Sequence, residues 1–273
     1  MTLVIVIVFA GLIAGLIANR YLRQRIIKDD DEGPAPQDLL TSVEIFAALL
    51  IAIVLVDASA TYSTARNVAA DEANVVDNMF EATGYIKEER YKVGLQASLV
   101  CYARAVRGPS WEAMASGANS PALAAVPSNW TGTKPHGMRL KFQRMGTQHP
   151  MFETLVSLDR ERGDTRRKRL SLAQPSVPKI TSAFMLILVF LAVVTLAFFI
   201  PRRRNSAQRI AILIPAALFV CSLTLVSELD RPFSGLVRVE PTAMSITADD
   251  ITADFLEDYG DKRLACNNRG EPR

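Results

Sequence analysis

An aspartate interrupts an apolar run of this sequence. In "SVEIFAALLIAIVLVDASATY" the only other charge is Glu44, near the start, and Asp57 is followed by Thr61 and Thr64 at i, i+4 and i+7. That spacing puts the three on one helical face. Hydrocarbon penalises a carboxylate, so an acid inside a membrane span points to a polar path or a lock between subunits. The plainer reading ends the span near Asp57 and leaves its carboxylate among the lipid headgroups. Glu44 suits a helix N-terminus, where the dipole favours an acid.

A second chemical cluster stands at "SELDRPFSGLVRVEP", residues 227–241, directly after another apolar run. Pro232 disfavours helix at Arg231, so a helix should end there. Pro232, Phe233, Ser234 and Gly235 fit a tight turn, with proline early and glycine late. Arg231 suits the negative end of a helix, while Glu228 and Asp230 oppose it. Acids placed against the dipole point to a partner: Glu228 can pair with Arg231 at i, i+3, and Asp230 must find one elsewhere in the fold or in a neighbouring subunit. The segment reads first as a structural lock and second as a pore or ligand element.

No catalytic motif accompanies these clusters. The chain has no phosphate-cradling glycine loop, no nucleophile elbow and no HExxH pattern. Its two histidines, His136 and His149, offer little for a catalytic or metal cluster, and the expectation is no enzyme, no metal and no cofactor. The three cysteines, Cys101, Cys221 and Cys266, show no paired spacing and predict no disulfide framework. A net charge of +3 with no basic stripe argues against nucleic acid.

The elements that must position the polar clusters are helices. Hydrophobic residues make up 49% of the 273, concentrated in four blocks. The blocks are 2–18, 42–62, 180–200 and 210–226, the first slightly short of the roughly 20 residues of a span but workable from Met1. A secretory signal peptide is the rival reading of the first, but its positive residues, Arg20, Arg23 and Arg25, follow the block instead of preceding it. Blocks one and two form one hairpin, and blocks three and four, joined by residues 201–209, form another. Asp29–Glu32 in the first joint read as a solvated turn. Between the hairpins, residues 65–107 read as two helices broken near Gly84, the second stopped by Gly108-Pro109. Residues 151–173 read as a helix with a basic end. That end, Arg160 to Arg169, is either a solvated face near headgroups or an electrostatic funnel for anions. Ile251, Phe255 and Tyr259 mark a last amphipathic helix ended by Gly260. The expected fold class is an all-α integral membrane protein with four transmembrane helices in two hairpins separated by a helical polar insert. The expected divisions are 1–64, first hairpin; 65–178, insert; 179–228, second hairpin; and 229–273, polar tail.

Three stretches resemble the bestrophin-like membrane proteins: "SLVCYARAVRGPSWEAMASG" at 98–117, "LDRERGDTRRKRLSLAQPSVP" at 158–178 and "ELDRPFSGLVRVEP" at 228–241. The resemblance implies one domain overall in a plasma or inner membrane, a homo-oligomer in the lipid bilayer, and conduction of inorganic anions. Bestrophins are pentameric anion channels whose Asn-Pro-Phe-Gly turn after the fourth span is followed by acidic calcium-binding residues. Here Pro232, Phe233 and Gly235 match that turn, but Leu236-Val237-Arg238-Val239 replaces the acids, so the calcium site does not carry over. The alternative function is a non-conducting membrane scaffold whose insert binds a protein partner.

Orientation is finely balanced. The two joints hold eight Lys or Arg (Arg20, Arg23, Arg25, Lys28, Arg202, Arg203, Arg204 and Arg209), which favours joints inside and insert outside. Six positives from Arg160 to Arg169, with Lys179, flank the third span and favour the reverse. The resemblance also implies a cytosolic insert, and the sequence reading settles on that side.

Overall fold

The computed structural model describes residues 2–22, 36–116, 122–198 and 206–273. The joint residues Asp29–Glu32 and Arg202–Arg204 lie outside them. Every named element is a helix, and an isolated β-bridge pairs Cys266 with Pro272. In chain order the α-helices are α1 (Thr2–Tyr21), α2 (Pro36–Gly84), α3 (Glu89–Ala105), α4 (Trp111–Ala115), α5 (Ala122–Thr131), α6 (Met138–Met145), α7 (Phe152–Leu172), α8 (Lys179–Phe198), α9 (Ser206–Leu229) and α10 (Thr242–Tyr259). The chain divides into two compact units: Met1–Thr61 with Pro175–Asp230, and Tyr62–Gln174 with Arg231–Arg273. These are called the membrane unit and the polar unit below.

In the membrane unit α1 packs along α8. Gly11 and Gly15, four residues apart, face it: a Cβ on Gly15 would lie 2.4 Å from the Val194 carbonyl oxygen and 2.6 Å from Ala197 Cβ. Small residues at this spacing let two helix backbones approach where no water is available to drive association. Asn19, one turn on, donates Nδ2–H to the Ala197 carbonyl at 3.2 Å. The interior is Val4, Val8, Ile51, Val54, Met185, Val189, Val193, Ala216, Leu223 and Val226. The outward side chains of α1, among them Val6, Phe9, Ile13, Leu16 and Ile17, are more than half exposed. Among the described residues, three helices are long and apolar enough to cross a membrane, and Leu213–Leu229 of α9 is a shorter apolar stretch.

The sequence placed a boundary near residue 64, but α2 continues unbroken for 49 residues from Pro36, a proline suited to the first helical turn, to Gly84. Gly108-Pro109 does not stop the next helix either. The backbone widens there into a π-helical turn, Val106–Ser110, that passes directly into α4. A wider turn accommodates the proline, which has no N–H to give to an i→i−4 bond.

The polar unit has the larger core, with Tyr102, Trp111, Met114, Trp130, Leu155, Phe233 and Phe255 buried within it. Against the expectation from spacing, Cys101 and Cys266 form a disulfide, 165 residues apart in sequence, with Cα atoms 5.8 Å apart. Sequence could not show this, because only the fold brings α3 and the chain end together. The tail docks through Gly270, whose φ of +71° and close approach to Ala105 (an added Cβ would lie 2.3 Å from its nitrogen) leave no room for a side chain. Trp130 Nε1–H donates to the Gly270 carbonyl at 2.8 Å.

Candidate functional site

Asp57 lies on α2 and is exposed in the single chain, with Thr61 half-buried and Thr64 exposed. Before Asp57 the helix exposes Ile45, Phe46, Leu49, Ile53 and Val56. From Asp57 on, the exposed positions change character. Ala60, Thr64, Asn67, Asp71, Asn74, Asn78 and Glu81 follow at alternating steps of three and four, all exposed. Such steps keep one line along a helix. The polar face that the sequence showed over two turns therefore continues nearly to the end of α2. The opposite side of the same helix is buried through Ala65, Ala69, Ala73, Val76, Met79 and Phe80.

On that buried side sits Glu72, which the sequence reading passed over. Its Oε1 accepts the Tyr102 hydroxyl at 2.6 Å and its Oε2 accepts Arg169 Nε–H at 2.5 Å. Both Glu72 and Arg169 are fully buried. Arg169 also lies 5.3 Å over the Trp111 ring, and its Nη1 contacts Met114 Sδ at 3.1 Å. Arg162 stacks 4.7 Å over the Tyr102 ring and is held by Asp159 Oδ1 at 2.6 Å. Burial, helped by the neighbouring Glu72, pushes the Tyr102 hydroxyl up to about 12, so it remains a donor to the carboxylate. Burial alone would lower Arg169, but the Glu72 carboxylate outweighs it and holds the guanidinium above its ordinary range. The basic end of α7 is thus divided: Arg162 and Arg169 are spent on internal partners, while Arg160, Arg167 and Lys168 are exposed. One signal was available. Glu72 falls among Ala65, Ala69, Val76 and Met79 on the apolar stripe, and an acid there needs a buried cation.

Arg160, Arg166 and Arg167 of α7 line a cavity of about 480 Å³ with Arg139 and the buried Arg162. Asp159 and Asp164 of the same helix line it too. Asp159 is taken by Arg162 and Asp164 by Arg167. Neither Arg139 nor Arg160 has an ion-pair partner among the described residues. Arg166 Nε is buried without a hydrogen-bond partner, and burial lowers that guanidinium. The cavity carries surplus positive charge suited to an anion.

The post-helix cluster divides between roles. Helix α9 ends at Leu229, and Asp230 Oδ1 accepts three hydrogen bonds, from Ser176 N at 2.8 Å, Ser176 Oγ at 2.9 Å and Val177 N at 2.8 Å. The acid thus finds its partner on the segment that enters α8, inside the membrane unit. Arg231 is exposed. Ser234 N donates to the Arg231 carbonyl at 3.0 Å, closing the turn, and Gly235 takes φ +90°. Pro232 and Phe233 are buried in the polar unit. Phe233 meets Trp111 edge to face at 5.4 Å, and Trp111 Nε1–H donates to the Val239 carbonyl at 3.1 Å. Among the described residues no group of acids, histidines or cysteines is placed to hold a metal ion.

A family model of the Bestrophin-like domain matches residues 37–244. Solved structures share the fold. A crystal structure of a bacterial bestrophin homologue from Klebsiella pneumoniae, phased on zinc, has a TM-score of 0.67 at 13% identity, covering 93% of this chain and 97% of that one. A point mutant of the Klebsiella pneumoniae homologue matches with a TM-score of 0.67 at 12% identity, covering 94% and 99%. A crystal structure described as a membrane protein matches with a TM-score of 0.65 at 13% identity, covering 94% and 98%. No curated protein matches the chain in sequence.

Proposed function

Because the chain belongs to the Bestrophin-like family of membrane proteins, we propose that it assembles with copies of itself into an ion channel, with inorganic anions as the conducted species. The observation that carries this reading is the exposed stripe on α2. A helix that exposes Ile53 and Val56 and then Asp57, Thr64, Asn67 and Asn74 on one line suits a lipid-facing or packed segment leading into a watered path. In a ring of subunits that line would face the axis. Asp57 stands where the apolar segment gives way to the polar one. The arginine cavity supports anions as the attracted species, because it concentrates them near the protein. The acids on the stripe, Asp57, Asp71 and Glu81, oppose anions, so selectivity is the most informative measurement.

Purified protein in planar bilayers under a salt gradient tests the proposal. The expected result is current above the empty-bilayer control, reversing near the anion equilibrium potential. Reversal near the cation potential would keep the channel and reassign the ion. No current with any anion, cation or pH would remove the channel in favour of a scaffold whose polar unit binds a protein partner.

A further inference from the structure

The disulfide bears on which side of the membrane the polar unit occupies. From the Cys101–Cys266 bond and the charge of the joints, we infer that the polar unit faces an oxidising, extracytosolic compartment and that the joints at 19–42 and 201–209 lie in the cytosol. This reverses the orientation reached from sequence and implied by the family resemblance.

The bond is prepared by its surroundings. Both sulfur-bearing residues are fully buried. The tail that carries Cys266 is held against α3 by Trp130 on the Gly270 carbonyl and by Arg104 Nη1 on the Asn267 carbonyl at 3.3 Å. Joining the thiols removes two electrons and two protons. Thiol–disulfide exchange passes them to the disulfide of an oxidoreductase, which leaves as a dithiol. Such oxidants act outside the cytosol, whereas cytosolic thiol pools keep protein cysteines reduced.

The same bond constrains the number of crossings. Cys101 precedes α8 and Cys266 follows α9, so the two meet only if the chain between them crosses the membrane an even number of times. Helix α8 is long and apolar enough to cross. Therefore α9, whose apolar stretch Leu213–Leu229 is shorter, crosses as well.

Charge leans the same way by a narrow margin, so the disulfide carries the inference. Loop positives orient a protein when they lie in short loops or within about 15–20 residues of a span. The eight positives of the two joints fall in short loops. Six basic residues of α7 and Lys179 lie within that distance of α8 and count for the reverse, seven against eight. The inference does not depend on conduction, so it stands or falls separately from the channel reading.

Labelling in intact cells tests it, on the full-length chain with Cys221→Ala to remove the free thiol. First, free thiols are blocked, the protein is denatured, and a heavy maleimide is added with or without reductant. Two adducts that appear only after reduction are expected. Two thiols open to blocking before reduction would overturn the inference. Second, Thr133→Cys and Asn268→Cys, both exposed in the polar unit, and Gln24→Cys in the first joint are treated with a membrane-impermeant thiol reagent. The first two should label in intact cells and Gln24→Cys only after permeabilisation. The opposite pattern at either polar-unit position would overturn the inference. Using two positions keeps the test decisive if one variant does not accumulate.

Discussion

The two units fill their interiors with opposite materials. Among the described residues the membrane unit buries a single polar side chain, Asn19, amid Val, Ala, Gly, Ile and Met. The polar unit buries Glu72, Arg104, Arg162 and Arg169 together with Gln96, Ser98 and Thr247, and closes with a disulfide. The contrast follows from the solvent. Lipid is as apolar as the side chains, so helices there gain from close backbone approach and shape, and Gly11 and Gly15 supply it. In water, burying aromatic and aliphatic surface drives the fold. Ion pairs placed inside it contribute geometry more than net stability, because desolvation offsets most of their attraction. The lesson is that the polar unit should be brittle to single charge changes, and the membrane unit to single volume changes.

The sharpest way to break that comparison is at Glu72. Glu72→Gln leaves Arg169 buried without its counter-charge and should cost about 3–5 kcal/mol of polar-unit stability. The readout is thermal unfolding in detergent. Replacing the pair together, with Glu72→Gln and Arg169→Met, should recover much of that loss. A single variant as stable as the parent would show that the pair is not what holds the core.

Reducing the disulfide, or changing both residues to serine, should cost the polar unit about 2–4 kcal/mol. Limited proteolysis of the segment after Tyr259 reads this directly, and faster cleavage under reductant is expected. Equal cleavage rates would show that Gly270 and Trp130 hold the tail unaided.

Gly15→Val tests the membrane unit by volume. Its side chain has no space against Val194 and Ala197, and overpacking should cost about 1–3 kcal/mol. Crosslinking between cysteines placed on α1 and α8 should weaken. The same substitution at Gly84, where nothing lies within 4 Å, should have no comparable packing effect, although both glycines are helical.

Asp230→Ala removes the acceptor of three hydrogen bonds and leaves two backbone N–H groups unpaired. A loss of about 1–3 kcal/mol is expected, and Asp230→Asn should recover part of it, because the amide oxygen can still accept. The smallest effect on stability belongs to Asp57→Asn, an exposed position. It should change ion selectivity or conductance in bilayers while unfolding stays at the parental temperature. A variant like the parent in both would place Asp57 among the headgroups.

Legibility of the sequence differed between the units for the same physical reason. Apolar runs declare a lipid-facing helix by composition alone, and α1 and α8 fell where the runs at 2–18 and 180–200 put them. The stops read from glycine and proline did less well. Gly260 ended α10 and Pro232 followed the end of α9, but Gly108-Pro109 did not end a helix, because packing on both sides favours continuing through a π turn. The need of Asp230 for a partner away from its own helix was legible. Its partners, Ser176 and Val177 for Asp230 and Trp111 for Phe233, were not.

Sequence by itself determined that this is a helical membrane protein with a large polar insert, because hydropathy and helical period are local properties of the chain. It determined the polar face beginning at Asp57, because three- and four-residue spacing is also local. Tertiary structure decided which charges are internal. Glu72, Tyr102, Arg162 and Arg169 come from three helices spread over nearly a hundred residues, and their pairing exists only after those helices pack. It decided the fate of the cysteines likewise. Residues 165 positions apart can bond only when the fold has already brought α3 and the chain's end within reach.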